Sequence, residues 1–261
     1  RIAADLEREM LLHEGVDGAR LKRQAEAAAR MQRGGLPSVS PLLDGWQTAG
    51  WTAQANSLGG DFFDWFSLPE GRLAIAVGDA LNEDMEAALS AAVVRAAVRS
   101  HAQYHRDAHR LLSNVNLTLW TGSAGDQSAN LFCGLVDTST GQVRFASAGQ
   151  VSVVLLGADG WKSLSQPSAA LGISPESTYQ PQEYELREGE SLLIFSNGFR
   201  DAVDQEGRSL GESGLGDPLA PLAIGMSADE IVDLARDRLE SHALRPENSD
   251  RTVMVIKRTQ A

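Results

Sequence analysis

From Trp46 onward, the chain consists mainly of short apolar runs separated by turn residues. Runs of roughly four to eight residues rich in Val, Ile, Leu and Phe are typical of β-strands, and Asp159-Gly160 is typical of a hairpin turn. The candidate strands lie in WQTAGWTAQA, RLAIAVGD, ANLFCGLVDTSTGQVRFASAGQVSVVLLGADG, ESLLIFSNG and RTVMVIKR. The stretch from Leu131 to Leu156 is predicted to form a β-meander.

Three helical segments interrupt these strands, in two blocks. Glu86 to Arg99 presents a broad apolar face, and a second helix is predicted from about Asp107 through Leu119. The sequence Ser227-Ala-Asp-Glu230 predicts a capping box that opens a third helix through Leu239. Because strands and helices come in groups rather than in strict alternation, the pattern favours a layered α+β fold.

The first 33 residues or so are predicted to form a separate helix. Leu21, Ala25, Ala28 and Gln32 repeat at helical spacing, and the segment GGLP ends the pattern. We expect residues 1–36 to form a helical linker or signalling helix and residues 37–261 to form one domain. The thin apolar stripe favours pairing with a second copy or connection to an upstream domain, although packing on its own domain is the alternative.

Composition limits the classes of partner and compartment. The net charge is −12, which argues against general binding to nucleic acid or to an anionic membrane. No run approaches the roughly 20 apolar residues that cross a bilayer, so we expect no membrane insertion and a cytoplasmic protein. The single cysteine, Cys133, stands in an apolar run and is predicted to be a buried, inert thiol.

The segment from Leu58 to Leu81 carries the clearest chemical signal. Its two strands, DFFDWF and RLAIAVGD, are joined by a Pro-Glu-Gly turn, with Asp61 and Asp64 in the first and Asp79 at the end of the second. In an antiparallel hairpin Asp61 and Asp79 meet at one end of the sheet, where they would repel each other without a cation. Carboxylate oxygens suit Mg²⁺ or Mn²⁺, although such acids are also common as turn and solvent-facing residues.

A second pattern is spaced like a metal site. His101, His105 and His109 would align on one continuous helix. We expect the helix to break between Gln103 and Asp107, with Asp107 as a cap, so the three imidazoles should not form a site.

Five ordered motifs give the chain a family resemblance. They are GGDFFDWFSLPEGRLAIAVGD followed by AAL, then SAGQ, LLIFSNGF and SDRTVMVIKR. Together they resemble the bacterial PPM-type protein serine/threonine phosphatase domain of the sporulation-protein-E-like branch, which includes regulators of sigma factors. The resemblance implies an α-β-β-α sandwich of two antiparallel sheets flanked by helical pairs and preceded by a linker helix. It also implies up to two Mn²⁺ or Mg²⁺ ions that activate a water against a phosphoserine or phosphothreonine.

The resemblance also implies the site residues, and some of them depart from the family pattern. The GGDF-x-D acid is Asp61, with Asp64 as a supporting group, and the G-D acid is Asp79, so Asp61 and Asp79 are expected to serve both catalysis and metal binding. The remaining expected metal-site residues are the Ala80 backbone carbonyl, Asn197 in place of the T/S-D-G acid, Ser249 in place of the first D-D-x-T acid, and Asp250. Since two of four expected carboxylates are missing, we expect one ion or none.

Further departures fall on loops expected to face the site. Leu81 to Asp84 replace a small S-G-K/H-G loop, and Gln150 replaces a histidine. We therefore expect a signalling domain that dephosphorylates or binds a regulatory partner, such as an anti-sigma-factor antagonist, with activity weakened or lost. The alternative is an inactive pseudophosphatase that binds protein or relays a signal. Other expected partners are an upstream sensory or receiver domain and a second copy that pairs through the N-terminal helix.

Overall fold

The computed structural model describes residues 2–244 and 249–259, with side chains described from residue 18 onward. Backbone contacts divide the chain into two units, Arg1–Gly35 and Leu36–Ala261. The first unit is one helix, α1 (Ile2–Gly34), which continues through Gly15 and Gly18. No helix in the described part of the chain is both long enough and apolar enough to cross a membrane.

The second unit holds two antiparallel sheets of five strands each within the described residues. The strand bounds are β1 Trp46–Ala53, β2 Asp61–Leu68, β3 Arg72–Ala80, β4 Ala129–Asp137, β5 Gln142–Ala148, β6 Ser152–Gly157, β7 Gly160–Ser163, β8 Gln182–Glu185, β9 Ser191–Phe195 and β10 Arg251–Arg258. The first sheet has the order β1-β10-β9-β6-β7, and the second has the order β2-β3-β4-β5-β8.

Five helices accompany these sheets, and they pack on the outer faces. Their bounds are α2 Asp84–Ala102, α3 Ala108–Gly122, α4 Asn197–Arg200, α5 Ser213–Ala223 and α6 Ala228–His242. One apolar cluster joins α2 and α3 to the second sheet, and another joins α5 and α6 to the first sheet. A third cluster, which includes Phe63, Ile75 and Met254, lies between the two sheets. The predicted α-β-β-α sandwich is therefore confirmed.

Strand alternation produces this layering, because neighbouring residues of a strand point to opposite faces. On β2, Phe62 and Phe66 face the helices, whereas Phe63 and Trp65 face the other sheet. Both faces are covered, which explains why the strands read as nearly continuous apolar runs rather than as alternating patterns.

The predicted meander from Leu131 to Leu156 is only half right. Strands β4 and β5 pair as expected, but β6 crosses to the other sheet and pairs with β7 and β9. The crossing occurs at Gly149, whose φ of 70° lies in the left-handed region. A Cβ at this position would also overlap Asn130 Oδ1, so the corner requires glycine on two counts.

The helix predictions hold in type and differ mainly at their ends. The break between α2 and α3 is confirmed, with Asp107 at the N-cap of α3. The Ser227–Glu230 capping box is present, and α6 continues to His242. Helix α5 was not predicted, because its segment contains Pro218 and Pro221.

The histidine stripe does not form a site. His101 Nε2 hydrogen-bonds to Thr118 Oγ1 at 3.0 Å, and His105 Nε2 bonds to Asn114 Nδ2 at 2.9 Å. These contacts hold the α2–α3 pair together, as expected for histidines on either side of a helix break.

Asp64 is a structural anchor for α2 and not a supporting group for the metal. Its buried carboxylate accepts hydrogen bonds from Arg95 Nε at 2.9 Å and from Arg99 Nε and Nη2, both at 2.7 Å. Asp64 lies on the helix-facing side of β2, three residues from Asp61, which faces the other sheet. The expectation that Asp64 is a supporting group beside Asp61 is therefore wrong.

We expect Asp64→Asn to lower the free energy of unfolding by about 2–3 kcal/mol, because it leaves the charges of Arg95 and Arg99 without a carboxylate partner. The loss is smaller than for fully buried pairs, since the side chains of Arg95 and Arg99 are 20% and 45% exposed. Urea denaturation measures it. Glu183→Gln is the matched control: it disrupts the exposed Arg144–Glu183 pair and should cost less than about 1 kcal/mol. Equal losses for the two variants would contradict the anchor role.

Candidate metal centre

Asp61 and Asp79 lie directly opposite each other in the β2–β3 hairpin, as predicted. Asp61 is the first residue of β2 and is only 1% exposed, while Asp79 precedes the last residue of β3. Burial raises the pKa of Asp61 well above its usual range, the charge of Asp79 raises it further, and the Ser196 hydroxyl opposes both effects. The hairpin thus holds two mutually repelling carboxyl groups in a poorly solvated place.

Asn130 on β4 orients the second of these acids. Its Nδ2 donates to Asp79 Oδ2 at 3.2 Å, and its Oδ1 accepts from the backbone N–H of Gln150 at 3.1 Å. Burial raises the pKa of Asp79, and the hydrogen bond from Asn130 partly offsets this. Gln150, which replaces the expected histidine, acts here through its backbone, while its exposed side chain accepts from Arg200 Nη2 at 3.0 Å.

Ser196 belongs to the site, and sequence reasoning missed it. Its Oγ donates to Asp61 Oδ2 at 2.7 Å and accepts from the backbone N–H of Thr252 at 3.0 Å. The hydroxyl therefore links β2 of one sheet to β9 and β10 of the other. Its position directly before Asn197 was the only available signal, because pairing between the sheets cannot be read from local patterns.

Asn197 is the first residue of the one-turn helix α4, which directly follows Ser196. Its Oδ1 is buried and accepts no hydrogen bond within the described part of the chain. Gly198 is needed for close approach and not for a left-handed backbone, since a Cβ there would overlap the Asp250 carbonyl oxygen. This packing brings α4 against the start of β10.

Asp250 holds a loop through both carboxylate oxygens, and Ser249 is exposed. Asp250 Oδ1 accepts from the backbone N–H of Ala55 at 2.8 Å, and Oδ2 accepts from that of Gly60 at 2.7 Å. Both carboxylate oxygens thus hold the loop that leads into Asp61. Ser249 is exposed, at the edge of the undescribed residues 245–248.

Ala80 ends β3 beside this loop. It is buried, and its backbone N–H donates to the Gly60 carbonyl at 3.1 Å. A Cβ on Gly60 would overlap the Ala80 carbonyl oxygen, so the glycine lets the loop pass close to the predicted carbonyl ligand. The structure therefore brings Asp61, Asp79, Ala80, Asn197 and Asp250 into one neighbourhood.

The oxygen atoms of this neighbourhood suit one hard cation, but they carry too little negative charge to balance two. Asp61 Oδ1 and Asn197 Oδ1 are buried oxygens without a hydrogen-bond donor in the described residues, and such oxygens suit Mg²⁺ or Mn²⁺. Asp250 adds negative charge that raises the pKa values of both Asp61 and Asp79. Among the described side chains, which are those of residues 18–244 and 249–259, no three from His, Cys, Asp or Glu are grouped to hold a metal ion by themselves. Neutral oxygens must complete any site here.

The family model for stage II sporulation protein E (SpoIIE) matches residues 69–259. The chain belongs to the SpoIIE family. It is thus a PP2C-type phosphatase domain, the class also called PPM-type, as its five motifs predicted. The matched region covers most of the chain, from the turn after β2 to the residue that follows β10.

Individual relatives agree with this SpoIIE assignment. Protein IcfG of Synechocystis is 25% identical over 262 residues, which cover 89% of this chain and 41% of IcfG. The chain therefore spans less than half the length of that relative. The SiaA-PP2C domain of Pseudomonas aeruginosa superposes with a TM-score of 0.79 at 20% identity, covering 93% of this chain and 98% of the SiaA domain.

A solved structure of RsbX in complex with magnesium also has this fold. It superposes with a TM-score of 0.62 at 18% identity, covering 84% of this chain and 98% of RsbX. At such identities the likenesses establish the fold, and site chemistry must be argued from the residues themselves.

We expect Asp61→Asn to stabilise the metal-free protein by about 1 kcal/mol, or roughly 2–4 °C in Tm, because it removes a buried charge that faces Asp79. Thermal unfolding in a chelator measures this gain. Addition of Mn²⁺ should then stabilise the wild type but not the variant. The control Asp159→Asn removes a charge at the exposed β6–β7 turn and should change little. A lower Tm for Asp61→Asn in chelator would contradict charge repulsion at the centre.

Proposed function

We propose that this domain is a metal-dependent protein serine/threonine phosphatase of bacterial signalling, with activity weakened by its altered metal centre. The observation that carries the proposal is the buried opposition of Asp61 and Asp79 at one end of a SpoIIE-family sandwich. Buried like charges are costly unless a cation compensates them. The substrate class is a phosphoserine or phosphothreonine of a regulatory protein, such as an anti-sigma-factor antagonist.

Each residue of the centre has a distinct task in this function. Asp61 and Asp79 would hold Mn²⁺ or Mg²⁺, with the Ala80 carbonyl and the Asn197 amide oxygen as neutral ligands. The ion, when bound, supplies positive charge for the transferring phosphoryl group and lowers the pKa of water. Ser196 and Asn130 keep the two carboxylates in place through hydrogen bonds of 2.7 and 3.2 Å, respectively.

The departures from the family pattern explain why we expect weak activity. A charge missing from a ligand about 4 Å away removes on the order of 4 kcal/mol of attraction at an effective dielectric constant of 20, before desolvation is counted. Asn197 is neutral, and Ser249 is exposed and uncharged. One bound ion is therefore favoured over two. Glu83 and Asp84, both exposed at the start of α2, would also repel an incoming phosphate.

The phosphatase proposal predicts measurable turnover of a phosphopeptide with Mn²⁺. Asp79→Ala should reduce the turnover at least about 100-fold, because it removes the electrostatic stabilisation that the ion provides. The double variant Asn197→Asp with Ser249→Asp restores both missing charges and should raise turnover and Mn²⁺ affinity by about tenfold or more. Exposed Asp159→Asn is the control. If neither the wild type nor the double variant turns over the phosphopeptide, the proposal is ruled out.

A pseudophosphatase is the second candidate, and the two uncharged residues Asn197 and Ser249 favour it. In that case the scaffold binds the phosphorylated partner without hydrolysis. The helix α1 would serve either function as a link to an upstream sensory or receiver domain, or as a site of pairing with a second copy. These partners rest on the family resemblance and on the incomplete coverage of IcfG.

The two candidates differ in what chelation should do to partner binding. A pseudophosphatase should bind a phosphoprotein partner equally well with Mn²⁺ and with chelator, and should leave its phosphate in place. A phosphatase should lose affinity for the phosphate in chelator, because the cation contributes to recognition. Calorimetry with the phosphorylated and unphosphorylated partner, followed by mass measurement of the partner, separates the outcomes.

A further inference from the structure

The amide of Gln54 lies beside the metal centre and is held by two hydrogen bonds. Gln54 directly follows β1, and its Nε2 donates to the backbone oxygen of Asp61 at 2.8 Å. The same nitrogen donates to Thr52 Oγ1 at 3.4 Å. These contacts place the amide nitrogen towards β2, so Oε1 occupies the other side of the planar group.

Gln54 Oε1 faces an oxygen and not a donor. The atom is buried and accepts no hydrogen bond within the described part of the chain. A Cβ on Gly59 would overlap both Gln54 Oε1 and Asp250 Oδ2, so these two oxygens are close neighbours. Turning the amide over would instead set its oxygen against the Asp61 backbone oxygen. Either orientation leaves oxygen against oxygen, which is unfavourable without a positive charge or a donor between them.

Two other oxygens of the centre share this condition. Asp61 Oδ1 and Asn197 Oδ1 are buried without a donor among the described residues, and Asp61 is 99% shielded from solvent. Asn197 directly follows Ser196, whose hydroxyl touches Asp61 Oδ2. A buried acceptor without a partner is destabilising. Three such acceptors beside three carboxylates are suited to bind a cation, because a cation can satisfy oxygens that have no donors.

We propose that Gln54 Oε1 is a ligand of the hard divalent cation at the Asp61 centre, where it and Asn197 Oδ1 make up with neutral oxygens for the carboxylates lost at positions 197 and 249. This assignment rests on the cation of the proposed function. Amide oxygens are ordinary ligands for Ca²⁺ and Mg²⁺. Neutral ligands leave the site with too little negative charge for a second ion, so the expected stoichiometry is one.

The test is Mn²⁺ binding to the full chain, measured by calorimetry and by the electron paramagnetic resonance signal of free Mn²⁺. Gln54→Ala should weaken binding by about tenfold. Gln54→Glu keeps an oxygen at the position, adds a charge and removes the Nε2 donor, and it should bind Mn²⁺ at least as tightly as the wild type. The control Gln142→Ala lies at the opposite end of β5 from Ala148 and should not change the affinity.

The Gln54→Glu variant separates a ligand from a merely structural residue. If Gln54 acted only by donating to Asp61, Gln54→Glu would bind Mn²⁺ as weakly as Gln54→Ala. Weak binding by Gln54→Glu would therefore overturn the assignment. So would equal Mn²⁺ affinities of Gln54→Ala and the wild type, or a wild type that does not bind Mn²⁺. Circular dichroism verifies that each variant is folded.

Failure of the Gln54 assignment can be told apart from failure of the proposed function. A wild type that binds Mn²⁺ and turns over phosphopeptide, with Gln54→Ala unchanged in affinity, overturns only the role of Gln54. A wild type that binds no Mn²⁺, with no turnover in the wild type or in the Asn197→Asp and Ser249→Asp double variant, overturns both. Binding of one ion that depends on Gln54, with no turnover in either of these proteins, supports the ligand role and rejects the phosphatase.

Discussion

The centre of this protein depends on one register: Asp61 of β2 pairs directly with Asp79 of β3. A shift by one residue would turn Asp61 towards α2 and α3 and bring Asp64 to the inner face, because strand side chains alternate. The observed register places Asp61 at the candidate metal centre, whereas Asp64 forms ion pairs with Arg95 and Arg99. The same strand thus supplies the charge of the proposed site on one face and a structural charge on the other.

The surroundings of the two acids come from both sheets. Thr252 belongs to the first sheet and Ser196 directly follows its strand β9, whereas Asp61 belongs to the second sheet, so the hydrogen bonds among them connect the two sheets at the candidate site. Asp250 adds to this by holding the loop between β1 and β2 through two backbone N–H groups. Stability and site geometry are therefore coupled here. A substitution that relieves repulsion is expected to trade function for stability.

The sheets and the flanking helices form the sandwich of the PP2C-type fold. The proposed function takes Asn197 and Ser249 as neutral residues at positions where the family motifs imply carboxylates. Because a fold is held by many apolar contacts and a metal site by a few charges, a few substitutions can change the chemistry while the core remains. In the proposed site, neutral oxygens such as Gln54 Oε1 compensate for the absent charges.

Local patterns of the sequence were sufficient for the α+β class, the β2–β3 hairpin, the break before Asp107 and the capping box at Ser227. Each of these depends on residues close together in the chain. The family motifs predicted Asp61, Asp79, Ala80, Asn197, Ser249 and Asp250 as site residues. Only the tertiary structure decided that β6 pairs in the other sheet, and that Asp64 forms ion pairs with α2. It also decided that Asp250 binds the loop before β2, and that Ser196 and Gln54 lie beside Asp61. These features arise from contacts between distant segments, where the partner of a polar atom is set by how the two sheets and the helices pack and not by the residues beside it.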